Sequence, residues 1–179
     1  MANLPVPTPR TYVVGETETG AYFNATRDAL NYLVNPPICT VIQTVQQTFG
    51  SVNTPVALAF DTTVVDTYGG HSNTVNNSEY VAQVAGWYLL TGGVVFSGAF
   101  SGTYRKIQAY RNGTIVAYSP SQLALVSGSF ATAVPMQSII LYLNVGDYVQ
   151  LQASADVASI TTNVGGGNQS SMTVIWLHA

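Results

Sequence analysis

Asp66 and His71 stand five positions apart in the stretch DTYGGHSNT, and they are the pair whose chemistry would matter first. A carboxylate that orients an imidazole is half of a hydrolytic triad. Joined by further carboxylates, the same pair would begin a calcium or zinc site. Asp61 and Glu79 flank the stretch, and Tyr80 follows, so Asp66, His71 and Tyr80 form a candidate ligand loop. The competing reading is a Gly69-Gly70 turn with polar neighbours joining two strands. A chain this poor in metal ligands favours the turn, and no metal or cofactor is expected. The other histidine, His178, lies on a strand far along the sequence, and no Gly-x-Ser-x-Gly, P-loop or His-Glu-x-x-His motif occurs. Paired acids for sugar hydrolysis could in principle come from Asp61, Asp66 or Asp147. Asp147 follows Gly146 and reads as a strand-entry residue. No catalytic residue is expected, and the chain is not expected to be an enzyme.

The elements that must position these residues are strands. Of 179 residues, 47% are apolar and only 7% charged, and there are 23 Val, 20 Thr, 11 Tyr and 6 Phe. β-branched and aromatic residues suit a pleated, half-buried surface. Runs of four to ten such residues, divided by Gly, Pro, Asn and Ser, predict strands near 38–47, 56–60, 80–84, 87–96, 103–111, 114–118, 122–127, 137–143, 147–154 and 171–178. Asn112-Gly113 between two of these runs is a strong hairpin signal. Many short strands at this spacing imply a sandwich, jelly roll or barrel.

Residues 1–37 read differently. Pro5, Pro7 and Pro9 alternate in NLPVPTPR and fix an extended arm. Tyr22, Thr26, Ala29, Leu30 and Leu33 then recur at helical spacing, with Thr17 or Thr19 to cap the start and Asn35-Pro36-Pro37 to stop the helix. A helix of about three turns is marginal alone, so Tyr22, Phe23, Leu30 and Leu33 need something to pack on: their own domain, symmetry mates or another protein. With the three prolines they are the candidate partner-docking residues, and 1–37 separates as a docking segment from a head at 38–179.

Charge excludes some partners and suggests others. The net charge is −3, with one lysine and four scattered arginines, so nothing resembles the cationic cluster that nucleic acids require. Arg105, Lys106 and Arg111 are the densest cations and read as a solvated face. No apolar run approaches the roughly 18 residues of a membrane-spanning helix, and MANLPVPTPR lacks a secretory signal's apolar stretch. Synthesis in a host cytoplasm, without membrane insertion, is expected. Cys39 is alone and reads as a small buried hydrophobe. A β protein with so few charges must cover its surface with hydroxyls and amides, or hide part of it against other copies.

Two resemblances rest on residue order. Gly86-Trp87-Tyr88, Asn112-Gly113, Leu143 with Gly146-Asp147 and Val149, and Trp176-Leu177 resemble the landmarks of the antiparallel jelly-roll sandwich shared by the globular head of complement's first component (its q subunit) and tumour necrosis factor. This covers about residues 45–179 and implies an all-β fold that assembles as a homotrimer. Gly15-Glu16, Asn24, Arg27-Asp28 and Pro36-Pro37 are similar to the opening of short structural proteins in phages of actinobacteria. That implies a virion protein whose partners are other virion proteins. The first choice is a minor tail or short-fibre protein; the alternatives are a capsid decoration or head-fibre protein, or a module that binds a host-surface glycan.

Overall fold

The computed structural model describes residues 13–17, 19–97, 102–124, 131–165 and 167–179; within the helix, side chains are described except at positions 22, 25, 28, 29, 31 and 32. After the helix α1 (Gly20–Val34) come fourteen strands among the described residues, which form two facing six-stranded sheets and a small two-stranded one. The carbonyl of Thr19 accepts the amide of Phe23 at 3.2 Å, so Thr19 holds the cap position. No acid lies in the first turn of the helix. Asn35-Pro36-Pro37 ends the helix, since the residue before a proline is pushed out of the α region.

The first sheet has the order β10 (Ala131–Pro135), β6 (Gly86–Ser97), β14 (Ser171–His178), β1 (Ile38–Ile42), β4 (Thr62–Asp66), with β11 (Ile139–Leu143) also on β6. The second runs β3 (Val56–Ala57), β12 (Tyr148–Ala155), β7 (Tyr104–Arg111), β8 (Thr114–Ile115), with β5 (Glu79–Val81) on β12 and β9 (Ser121–Ala124) on β7. The short pair is β2 (Thr48–Phe49) with β13 (Ile160–Thr161). All pairings are antiparallel, and non-neighbours in sequence lie side by side, as in β1 with β14. This is the expected all-β jelly-roll sandwich.

Between the two sheets lies one core. Tyr88, Leu90, Val94 and Phe96 of β6 and Met172 and Val174 of β14 meet Ile107, Val149 and Leu151 of the second sheet, all buried. Phe49 and Phe96 pack with their rings tilted by 48° and 5.3 Å between ring centres. The hairpin expected at Asn112-Gly113 forms with φ of 49° and 75°. Two successive left-handed residues define the type I′ turn that matches strand twist, and Arg111 pairs with Thr114 across it.

Several strand expectations need correction. Strand 38–47 ends at Ile42, because the Asp61 carboxylate captures the chain: it accepts the amides of Thr44 and Val45 at 2.9 and 2.7 Å and the Thr44 hydroxyl at 2.5 Å. Strands β2, β4, β10 and β13 are additional; β2 and β13 are only two residues long, and the Thr- and Ala-containing sequences of β4 and β10 lack a clear apolar run. Part of the expected strand 122–127 lies outside the described residues. Arg105 does not belong to a solvated face. The alternation of β7 turns it inward, 1% exposed, with its guanidinium carbon 5.6 Å from the Phe96 ring centre and one nitrogen 3.5 Å from Asp156.

Candidate functional site

The Asp66–His71 loop is built around hydrogen bonds to backbone. Asp66 Oδ1 accepts the amide of Gly69 at 2.9 Å and Oδ2 that of His71 at 2.8 Å, with Tyr68 N more distant at 3.3 Å. The carboxylate therefore serves backbone amides and does not orient the imidazole. His71 Nδ1 lies 2.8 Å from the carbonyl of Glu79, and Nε2 lies 3.0 Å from that of Phe60. The ring thus lies between two chain segments, and the nitrogen that carries the proton donates to its carbonyl. Gly70 is required by close approach: a Cβ there would lie 2.4 Å from a Tyr80 ring carbon and 2.7 Å from the Val81 carbonyl. Tyr80 itself is buried beside Tyr88. Burial, then the neighbouring Tyr88 phenol, pushes its hydroxyl far above the usual tyrosine range. So Asp66, His71 and Tyr80 are brought together, but into a packed loop in which the polar groups of Asp66 and His71 face the chain.

Asp147 and Asp61 likewise serve the chain around them. Asp147 accepts the Asn112 side-chain amide at 2.7 Å and the Asn144 amide at 2.8 Å, tying the hairpin tip to the β11–β12 turn. Its carboxyl sits below the usual range, chiefly through Asn112. For Asp61, burial would raise the pKa, but bonds from Thr44, Val45 and Thr62 outweigh it and the net direction is down. Among the described residues no three His, Cys, Asp or Glu side chains converge as a metal site would need, and no helix is long and apolar enough to cross a membrane. His178 lies at the end of β14 against Trp87.

Two surfaces stand out instead, and both are apolar. The alternation that buries one side of the first sheet leaves Trp87, Leu89, Thr91 and Val95 of β6 on its other side. Beside them are Ser171, Thr173, Ile175 and Leu177 of β14, and Ile38, Thr40 and Ile42 of β1. None of these eleven positions carries Asp, Glu, Lys or Arg. A sheet face meeting water normally alternates to polar or charged residues, and this one does not. The second surface is the sandwich edge between β8 and β11. There Ile115, Tyr118 and Ile140 are 42%, 57% and 52% exposed, and the Tyr118 hydroxyl donates to the Ile140 carbonyl. A groove of about 370 Å³ opens beside them, lined by Arg111, Thr114, Val116 and Leu141. These edge residues were not singled out from sequence. The available signal was IILYL, where residues of both alternating sets are apolar.

The N-terminal candidates divide. Pro5, Pro7 and Pro9, and the side chain of Tyr22, lie outside what is described. Phe23, Leu30 and Leu33 are 65%, 57% and 71% exposed on α1, so this apolar stripe does not pack on the chain's own sheets. The segment that follows is fixed: the Thr67 hydroxyl donates to the Pro36 carbonyl at 2.8 Å and accepts the Ile38 amide at 2.9 Å, and the Pro37 carbonyl accepts the amide of Trp176.

With this architecture in view, similarity to known structures is at the level of fold. The globular domain of zebrafish complement 1qA is 15% identical, with 79% of this chain and 98% of that one covered and a TM-score of 0.54. Murine APRIL at pH 8.5 is 12% identical over the same shares, with a TM-score of 0.55. The chain has the jelly-roll fold of these complement- and tumour-necrosis-factor-like domains. No family model matches the sequence, and no curated protein does.

Proposed function

We propose that this chain is a structural subunit of a phage virion, a minor tail or short-fibre protein, whose head (38–179) closes into a homotrimer and whose N-terminal segment (1–37) docks the trimer onto the particle. The observation that carries the trimer is the uncharged outward face of the first sheet. The complement-like fold supports it, as does the second, unlike apolar patch at the β8–β11 edge. Two different patches on one chain fit a head-to-tail contact, which closes when three copies set edge against face. An apolar contact at about 25 cal/mol per Å² outweighs association costs once it is large enough. The Gly15-Glu16, Asn24, Arg27-Asp28 and Pro36-Pro37 pattern supports the virion role, and the exposed Phe23, Leu30 and Leu33 support docking through the helix.

Light scattering of the purified chain should give three times the 19.0 kDa chain mass; a stable single-chain mass at micromolar concentration rejects the trimer. A chain lacking residues 1–37 should still trimerise yet be missing from purified particles. Its incorporation would reject the docking role, and the particle fraction that carries the full chain distinguishes tail from capsid.

A further inference from the structure

The outer face of the second sheet has a chemistry that assembly does not use. Ile107 and Ala109 of β7 and Val149, Leu151 and Ala153 of β12 point into the core. The pleat therefore sends Gln108, Tyr110, Tyr148, Gln150 and Gln152 to the opposite side. The ladder register sets Gln152 across from Gln108, and Gln150 across from Tyr110. Three glutamines and two tyrosines thus occupy neighbouring positions on two adjacent strands. Glutamine is no favoured strand residue, and immobilising each of these side chains costs up to about 2 kcal/mol.

The hydrogen bonds among them leave capacity unused. Gln108 Nε2 donates to the Tyr110 hydroxyl at 2.6 Å. Gln150 Nε2 donates to Ser78 Oγ at 2.9 Å and, more loosely, to Glu79 Oε1 at 3.3 Å. Gln152 Nε2 reaches Gln150 Oε1 only at 3.4 Å, the long end of the useful range. Gln108 is 3% exposed, and its Oε1 has no hydrogen-bond partner. A buried acceptor without a donor costs about 1–3 kcal/mol and calls for an explanation. Gln152, directly across the ladder and weakly held, is the neighbour whose movement the inference requires to bring a hydroxyl to this acceptor.

We infer that this face binds a neutral carbohydrate. A sugar hydroxyl donates to Gln108 Oε1, while other hydroxyls exchange donor and acceptor roles with the Gln150 and Gln152 amides, which offer both. Tyr110 and Tyr148 sit diagonally across the ladder, about 7 Å apart at their backbones, and supply rigid amphipathic rings for the apolar faces of a saccharide. The charges on the face, Glu79 and Lys106, are one of each sign, so nothing there selects an acidic polymer. The inference does not rest on the trimer or on the virion role: the proposed contact uses the outer face of the first sheet and the β8–β11 edge, and the Gln and Tyr positions on the outer face of β7 and β12 belong to neither.

The test is an array of neutral oligosaccharides (glucose, galactose, mannose, arabinose and N-acetylhexosamine series) with uronate and sialylated oligosaccharides as the acidic arm, followed by titration calorimetry on the best series. At least one neutral series should bind with a dissociation constant of 1 mM or tighter, on the order of −4 kcal/mol. Tyr110→Ala and Gln152→Ala should each weaken it at least tenfold, while Asn168→Ala, in the glycine-rich loop, should leave it unchanged. Gln108→Leu is the sharper variant, since it removes the unpartnered acceptor: binding should be lost while the melting temperature holds or rises. No neutral series binding, binding only in the acidic arm, or binding that survives both Gln108→Leu and Tyr110→Ala would overturn the inference.

Discussion

Ile175→Glu is the substitution that most directly tests whether copies of this chain cover the uncharged face of the first sheet. Ile175 sits mid-strand on β14, opposite Leu89 of β6 on one side and Ile38 of β1 on the other, in the middle of the outward face. Its neighbours Val174 and Trp176 point into the core. In a separated subunit a glutamate here would reach water, and the cost to the fold should stay within about 1 kcal/mol, the span of strand propensities. In the proposed trimer the same change forfeits about 1.5–3 kcal/mol of isoleucine burial. It also places a carboxylate, with no cation on that face, in an apolar contact, at a further cost of several kcal/mol. A loss of roughly 4 kcal/mol per contact is about a thousandfold in affinity, and a closed ring suffers it at every contact. Size-exclusion chromatography with light scattering should move from a three-chain to a one-chain mass at micromolar concentration, with an unchanged far-ultraviolet spectrum. A variant that keeps the three-chain mass would refute the assignment of this face.

Four further outcomes follow from the loop and core geometry. Asp61→Ala should destabilise the fold by about 1–3 kcal/mol in denaturant titration, because the Thr44 and Val45 amides lose their acceptor. The carboxyls of Asp61, Asp147 and Asp156 are all held below the ordinary 3.8; their stabilisation is present above that value and drains away as pH falls through the lower folded-state values, so melting temperature should drop on acidification below about pH 4. Cys39 is fully buried, and burial, then the Asp66 carboxylate, pushes its thiol up to about 12. A thiol reagent at pH 8 should leave the folded chain unlabelled and react at once in guanidinium; above about pH 9 the unfolded thiol ionises first, so this group lowers stability as pH rises. Gly70→Ala should cost about 1–3 kcal/mol by thermal melt, since the new methyl meets the Tyr80 ring and the Val81 carbonyl.

How much of this was legible in the sequence depended on whether a signal was local. Asn112-Gly113 announced its hairpin because a type I′ turn needs two left-handed residues, and few other dipeptides supply them. GWYLLTGGVVFS and SMTVIWLH announced central strands through their β-branched and aromatic content. The end of β1 was not legible, because it is set by Asp61, whose carboxylate returns from 17 and 16 positions away to bind Thr44 and Val45. Strand β10 was hidden for a related reason: Ala131–Pro135 is a strand because β6 offers it an edge, with Val134 alone reaching deep into the core.

The surfaces were harder still, since sequence gives alternation but not which sheet covers which. On β6 and β14 both alternating sets are largely apolar or hydroxylic, so one side fills the core and the other remains greasy and uncharged. On Ile107–Tyr110 of β7 and Tyr148–Ala153 of β12 the alternation points aliphatic residues inward and Tyr and Gln outward, with Arg105 the charged residue turned inward; YVQLQAS displays it openly. The first sheet therefore has a face that water disfavours, and the second a face that presents amides and phenols to water. Reading low charge as a single property of the whole surface conflates these two solutions. A chain that buries its first sheet against copies of itself leaves the second sheet outermost, and the groups placed there are the ones suited to hydroxyl-rich surroundings. The division of labour lies between sheets, and the Asp66–His71 loop takes no part in it. Its polar groups face backbone amides and carbonyls, and those contacts fix the loop between β4 and β5.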